Sequence, residues 1–489
     1  MTVSIPSRLH ALGRSRVVLL ALVALCARAV TFGNPIVQVD EEFYYVVARA
    51  MAHGALPYID VWDRKPFGLF LIYLPAGLFA PPVGIWVYQA MAFAAVVATA
   101  MLIARLAERA GWARGALPAA MFYILWLNMA DGQGGQAPVF YNLSMVGAAT
   151  LACLGSPARR RRRGAAAMAL VGLSLQVKYS VVFEGLWFGL WLLWNEWRAR
   201  RSAVTLLAYA LLLIAVTLAP TLLVAGGYAA IGQEQAYLYA NFLSIFARHP
   251  DPLSESLGNI VAAIGLVAPF LILAAAGRHG KAETQTDRER QLFLRCWFGA
   301  SLFGLAVFGS WFNHYTLPVM VPGTCCIAGF LGDRPRGRAL VVPLLIVAFL
   351  AGQGILWSQR RVRGTRAQFA ELVQAIGPRT AREPGSLYVY SGSPMLYAMT
   401  GRAPLSRYLF ATHLMLEREH GAIGVEQGDE IDRIFDRHPD VVVVQSFDGG
   451  ERGASRAVAT RRLAHDGYRR SARTVLGNKF FDVYRRAGK

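Results

Sequence analysis

Long apolar runs recur from residue 17 to residue 357, and short clusters of arginine stand between them. A bilayer crossing needs about 20 mostly apolar residues. Inside hydrocarbon each backbone N–H and C=O must find its partner within the segment, so each run reads as a helix. The composition agrees, with 55% of residues hydrophobic and only 16% charged. A soluble multidomain enzyme carries nearer one quarter charged residues. Composition therefore excludes that class, along with a disordered chain and a disulfide scaffold.

Fifty basic residues against thirty acidic leave a net charge of +20. The basic residues lie in short clusters between apolar runs, as in cytoplasmic loops, so nucleic-acid binding is not implied. The clusters are 105–114, 159–163, 198–201, 278–295 and 334–338. Between two inner clusters the chain must leave and return. The first run, 17–32, follows Arg8, Arg14 and Arg16. It goes out, and 83–104 comes back. The pairs 116–130 with 139–155, 164–177 with 181–197, 203–225 with 256–276, and 296–312 with 316–331 follow, and 339–357 goes out. About eleven spans result, several shorter than the usual ~20 residues. Ala27-Arg28-Ala29 also resembles a signal-peptide cleavage site. The many later spans favour an uncleaved first span with a cytoplasmic N-terminus, and the chain after Phe32 emerges outside in either case.

Two domains are expected: a membrane domain over 1–358 with a first outer loop at 34–82, and a soluble extracytoplasmic domain over 359–489. Residues 67–79 in that loop read as a helix at or dipping into the interface. In the tail, 386–391, 441–446 and 480–484 read as strands, and 406–420 and 426–438 as helices. Alternation of this kind predicts a small α/β domain. The five cysteines, Cys26, Cys153, Cys296, Cys325 and Cys326, form no CxxC pair and read as packing residues. The sequon Asn142-Leu143-Ser144 falls inside an expected span.

The densest polar cluster outside the tail is in the first outer loop: Asp40-Glu41-Glu42, then Asp60 and Asp63-Arg64-Lys65-Pro66. A solvated loop would explain charges alone. Here Tyr44 and neighbouring aromatics follow the acids, and Trp62 and Phe67 flank Lys65. Charges interleaved with aromatics suit an amphiphilic ligand. A carboxylate there can serve as general base on a hydroxyl, and a lysine can hold a lipid phosphate as a point charge. Lysine is rare in this chain: Lys65, Lys178, Lys281, Lys479 and Lys489 are all there are. Lys178 stands at an outer turn, where an ionisable residue marks function or snorkels to the headgroups; Glu184 is a nearby alternative partner. His314-Tyr315 stand at another outer turn, as interfacial anchors or ligands of a sugar or phosphate. His249 and Asp251, with Asp63, supply metal-ligand types without a spacing that requires a metal. No P-loop, GxGxxG, GxSxG or HExxH motif occurs in its proper context.

Asp40-Glu41 after the first span, the stretch Ala48-Arg49-Ala50-Met51-Ala52-His53-Gly54-Ala55-Leu56-Pro57-Tyr58, and Trp62-Asp63-Arg64-Lys65-Pro66-Phe67-Gly68 together resemble the GT-C fold glycosyltransferases that use polyprenyl-phosphate sugars. The likeness is to the family 39/83 group, which holds the aminoarabinose transferases, the protein O-mannosyltransferases and the rhizobial galacturonosyltransferases. It extends to Lys178, to His314-Tyr315 before Pro318, and to Gly401-Arg402 and Arg407-Tyr408 in the tail.

The resemblance implies an active site on the outer face of a bacterial inner membrane. It places Asp40 as catalytic base, with Glu41 and Glu42 as adjacent alternatives. Lys65, Arg64 and Lys178 would lie at the donor phosphate, and Tyr44, Asp63, His249, His314 and Tyr315 would bind substrate. The partners implied are a polyprenyl-phosphate sugar, an acceptor that is lipid, glycan or protein, and the bilayer. No cofactor is required, and a divalent metal stays open. Two departures stand out. Phe43 occupies a place where aminoarabinose transferases carry Arg, and Arg64 separates Asp63 from Lys65. The rival classes are a secondary transporter, which usually shows repeat symmetry and midplane charges, and an O-antigen ligase or polymerase.

Overall fold

The computed structural model describes residues 5–155, 157–277, 282–309, 311–380, 385–447 and 449–486. Arg278 and Lys281 of the expected cluster 278–295, and Lys489, lie outside the described residues. Each apolar run read as a span falls on a helix. Among the described residues, six segments qualify as crossings by length and composition: Val83–Arg109, Ala203–Ala230, Leu253–Gly277, Gln285–Phe308, Asn313–Asp333 and Pro335–Ile376. Others, such as Ala113–Trp126 with 14 residues and Arg160–Leu175 with 16, are shorter.

The chain divides into two compact units. The first holds Met1–Thr31, Ala90–Leu223 and Leu253–Leu356. Its centre is the helix Leu317–Asp333, buried along nearly its whole length. Glycine makes its packing against Ala113–Trp126 feasible: a Cβ on Gly115 would stand 1.9 Å from the Ala328 carbonyl oxygen. Close backbone approach through small residues is how helices associate where lipid offers no hydrophobic drive. The helix Ala203–Ala230 instead leaves Val204, Leu207, Leu222 and Leu223 exposed, an apolar surface suited to hydrocarbon.

The second unit gathers Phe32–Gln89, Val224–Pro252 and Trp357–Lys489. In the loop 34–82, Gln38 caps the helix Val39–Ala52 by accepting a hydrogen bond from the Asp40 N–H. Asp40, Glu41 and Glu42 occupy its first turn, where negative charge meets the positive end of the helix dipole. After Pro66 comes the helix Phe67–Gly77, 11 residues long. The two helices meet closely, since a Cβ on Gly77 would lie 2.5 Å from the Ala48 carbonyl.

The tail carries a five-stranded sheet made of β1 (Ser386–Val389), β2 (Ala403–Pro404), β3 (Val441–Gln445), β4 (Tyr468–Leu476) and β5 (Lys479–Arg486). Their order is β2-β1-β3-β5-β4. β1 pairs in parallel with β2 and β3, while β5 runs antiparallel to both β3 and β4. The three expected strands are β1, β3 and β5. The sequence reading missed β4, whose exposed arginines hide the alternation of a sheet edge, and the helix Gly453–His465. It also overextended a helix over 406–420. That stretch forms only the short turn Thr412–Met415 and the 3-10 turn Glu417–Glu419. The expected helix at 426–438 is Gln427–Asp436. Trp62, from the first loop, is buried in the tail's core with Tyr388, Tyr408, Leu414, Ile434 and Phe435.

Candidate functional site

Helical geometry turns three consecutive acids to three directions. Glu41 and Glu42 are buried, at 0% and 3% exposure, while Asp40 stays partly open to solvent. Glu42 accepts a hydrogen bond from the Ser393 hydroxyl. Burial pushes its carboxyl up to about 8, and the Glu41 charge adds to the rise against the Ser393 bond. Asp40 faces Lys65, with Nζ 4.0 Å from Oδ1. Lys65 Nζ also lies 5.7 Å from the centre of the Tyr44 ring, and that ring packs edge-on against Tyr73 at 5.5 Å. The Tyr58 hydroxyl donates to the Lys65 carbonyl at 2.9 Å and fixes the backbone there. Asp40, Tyr44 and Lys65, separate in the sequence, thus meet.

The neighbouring residues attach this loop to the tail. The Trp62 N–H donates to the Arg407 carbonyl at 2.9 Å, and its ring lies 4.6 Å from that of His413. Arg64 and Arg248 both reach Glu419, at 2.7 and 3.0 Å. Burial alone would raise the Glu419 carboxyl, but Arg64, His413 and Arg248 hold it down at about 2. His413 Nε2 is 3.8 Å from Asp63 Oδ1. Burial holds this imidazole down at about 3 and pushes the Asp63 carboxyl up against the pull of Lys65 and Arg64. At neutral pH the two therefore form no ion pair. His413 and Glu419 escaped the sequence reading because nothing in the spacing of the tail points back to residues 62–64.

The three residues of metal-ligand type, His249, Asp251 and Asp63, do not gather into one group. Asp251 is paired with Arg418 at 3.0 Å. The His249 backbone N–H donates to the Arg418 carbonyl, and the His249 ring stacks on His420 at 5.9 Å. Asp63 has His413 as its neighbour instead. Among the described residues no group of three His, Cys, Asp or Glu side chains could hold a metal ion.

A second constellation belongs to the other unit. Lys178 Nζ sits 3.4 Å from the centre of the Tyr315 ring, a cation–π contact, and the His314 and Tyr315 rings lie 4.7 Å apart. Two turns that the sequence only placed separately are therefore adjacent. They border a cavity lined in part by Tyr141, Ser180, Glu184, Phe308 and Tyr315. Glu184 accepts a hydrogen bond from the Trp297 indole at 2.5 Å. Arg28 has a scaffolding role, donating to the Gly132 and Gly134 carbonyls at 2.8 and 2.7 Å.

Comparison with solved structures places this fold. ArnT from Cupriavidus metallidurans bound to undecaprenyl phosphate aligns over 98% of both chains at a TM-score of 0.60 and 15% identity. The apo state of the same protein gives a TM-score of 0.62 over 98% of both chains at 14% identity. The chain thus has the ArnT-like GT-C membrane fold. Comparisons with protein-family models and with curated protein sequences gave no match.

Proposed function

We propose that this chain is a membrane glycosyltransferase that moves a sugar from a polyprenyl phosphate to an acceptor hydroxyl. The observation that carries the reading is the meeting of Asp40 and Lys65 at 4.0 Å, with Asp40 the one partly solvent-open carboxylate of its helical turn. The fold adds support, since it is shared end to end with an ArnT that binds undecaprenyl phosphate.

The chemistry needs two groups. A base must take the acceptor proton as the hydroxyl oxygen bonds to the anomeric carbon. A cation must meet the charge that builds on the phosphate oxygen as the anomeric C–O bond breaks and its electron pair leaves with the phosphate. Asp40 is the base and Lys65 the cation, with Arg64 beside it and Glu41 as the adjacent alternative base. Tyr44 and Asp63 shape the sugar pocket, and Lys178, His314 and Tyr315, grouped within their own unit, offer a second phosphate-binding constellation. In-line attack inverts the anomeric centre. The products are the glycosylated acceptor and a polyprenyl phosphate, with no nucleotide consumed. The enzyme is a multi-pass protein of a bacterial inner membrane, with its N-terminus cytoplasmic and its tail outside.

The test is transfer of radiolabel from a polyprenyl-phosphate sugar to an envelope extract by purified protein in proteoliposomes. Label should enter the acceptor fraction, with free polyprenyl phosphate formed in equal amount. Solute uptake into vesicles without any transfer would make the chain a transporter.

A further inference from the structure

The tail contains a cleft that the proposed chemistry leaves unused. It lies between the segment Leu405-Ser406-Arg407-Tyr408 and the helix Gln427–Asp436, has room for about 280 Å³, and is lined also by Val425, Glu430, Arg433, Ile434 and Arg437. Leu405 and Val425, both partly exposed, make an apolar floor, and three arginines surround it.

The charges there do not cancel. Glu430 is the single acid among the lining residues. Arg433 pairs with it at 2.8 Å, and the Ser406 hydroxyl donates to it at 2.6 Å. Arg407 donates to the Tyr408 hydroxyl at 2.9 Å, and Arg437 to the Leu405 carbonyl at 2.7 Å. Neither of these two has an acidic partner among the described residues. Both are held by neutral acceptors, which position a guanidinium while leaving its charge and further N–H donors for something else. A planar guanidinium suits carboxylate and phosphate oxygens. The volume is at the small end for ligand pockets and matches one sugar ring.

We propose that this cleft binds a saccharide bearing a carboxylate or phosphate, and that this saccharide is the anionic end of the acceptor. The ring's apolar face lies on Leu405 and Val425, and the anion meets Arg407 and Arg437. The Trp62 N–H bonds to the Arg407 carbonyl, so occupancy of the cleft is connected to the loop that carries Lys65. The acceptor assignment rests on the transferase reading; binding of an anionic saccharide does not.

The full chain in nanodiscs would be titrated with glucuronic acid, glucose 1-phosphate, glucose and inorganic phosphate, with binding followed by ligand-observed NMR. Glucuronic acid or glucose 1-phosphate should bind, and glucose should not. Arg407→Gln with Arg437→Gln keeps hydrogen-bond donors and removes both charges; it should weaken binding about tenfold or more while the thermal unfolding midpoint stays in place. Asp40→Asn should bind these probes as the wild type does, so that a failed transfer assay and a failed cleft are read separately. Glucose binding as tightly as the anionic sugars, inorganic phosphate binding as tightly as glucose 1-phosphate, or full binding by the double variant would each overturn the proposal.

Discussion

The Arg64 guanidinium and the Glu419 carboxylate meet at 2.7 Å, with side chains only 15% and 5% exposed. They join the loop 34–82 to the tail within one unit. Arg248, from the segment before Pro252, reaches the same carboxylate at 3.0 Å. Removing one partner of a buried pair leaves the other charge without compensation, at a cost of about 3–5 kcal/mol. Glu419→Ala should therefore lower the unfolding midpoint sharply and loosen the loop. Limited proteolysis should cut between Asp60 and Pro66 in the variant and not in the wild type.

Protonation should weaken the same junction in acid. His413 is held down at about 3 in the folded state from an ordinary value near 6.5. The unfolded chain thus takes a proton first, and stability falls as pH drops from about 6.5 toward 3. Glu419, held at about 2, adds its loss below about 4.5. Glu42 runs the other way. Its carboxyl is raised to about 8, so its burial costs nothing below about 4.5 and progressively more as pH rises through 8. Unfolding midpoints of wild type and Glu42→Gln across this range should diverge toward alkaline pH, with the variant the more stable. Parallel curves would mean that Glu42 is ionised in the fold.

Asp40→Asn keeps the shape of the side chain and removes the base. General-base catalysis contributes about 10²–10⁴-fold, and turnover should fall by that order with donor binding retained. Glu41→Gln should be milder, because Glu41 is fully buried. Near-normal turnover in Asp40→Asn beside an inactive Glu41→Gln would shift the base by one residue.

Lys65→Met and Lys178→Met should each raise the donor KM by about tenfold or more, the loss expected for a hydrogen bond to a charged group. Lys178 also packs on Tyr315, so stability has to be read alongside. A lower unfolding midpoint with unchanged donor KM would make Lys178 a packing residue.

On the proposed topology, the alternating basic loops leave residues 360–489 outside the cytoplasm. A phosphatase reporter fused after Lys489 should be active and a cytoplasm-dependent fluorescent reporter dark. The opposite pattern would move the proposed site to the cytoplasmic face.

Helix positions were legible because hydrocarbon imposes a local rule: an apolar run such as 203–225 or 256–276 must bond its own backbone, whatever its neighbours are. Asp40 and Lys65 drew attention as candidates for a related reason, since charges next to aromatics stand out against an apolar chain; that the two side chains approach each other is the structure's addition. The eleven expected spans all lie on helices, yet among the described residues six segments have the length and composition to cross alone, because a short helix such as Ala113–Trp126 relies on partners. β4 was hidden because an edge strand with Arg469, Arg470 and Arg473 exposed lacks a periodic apolar signal. Only the tertiary structure decided that His413 and Glu419 stand beside Asp63 and Arg64, that Asp251 belongs to Arg418, and that Lys178 lies on Tyr315. These are contacts between residues far apart in the chain. Their specificity comes from burial and charge pairing in three dimensions, and no local spacing in the sequence encodes either.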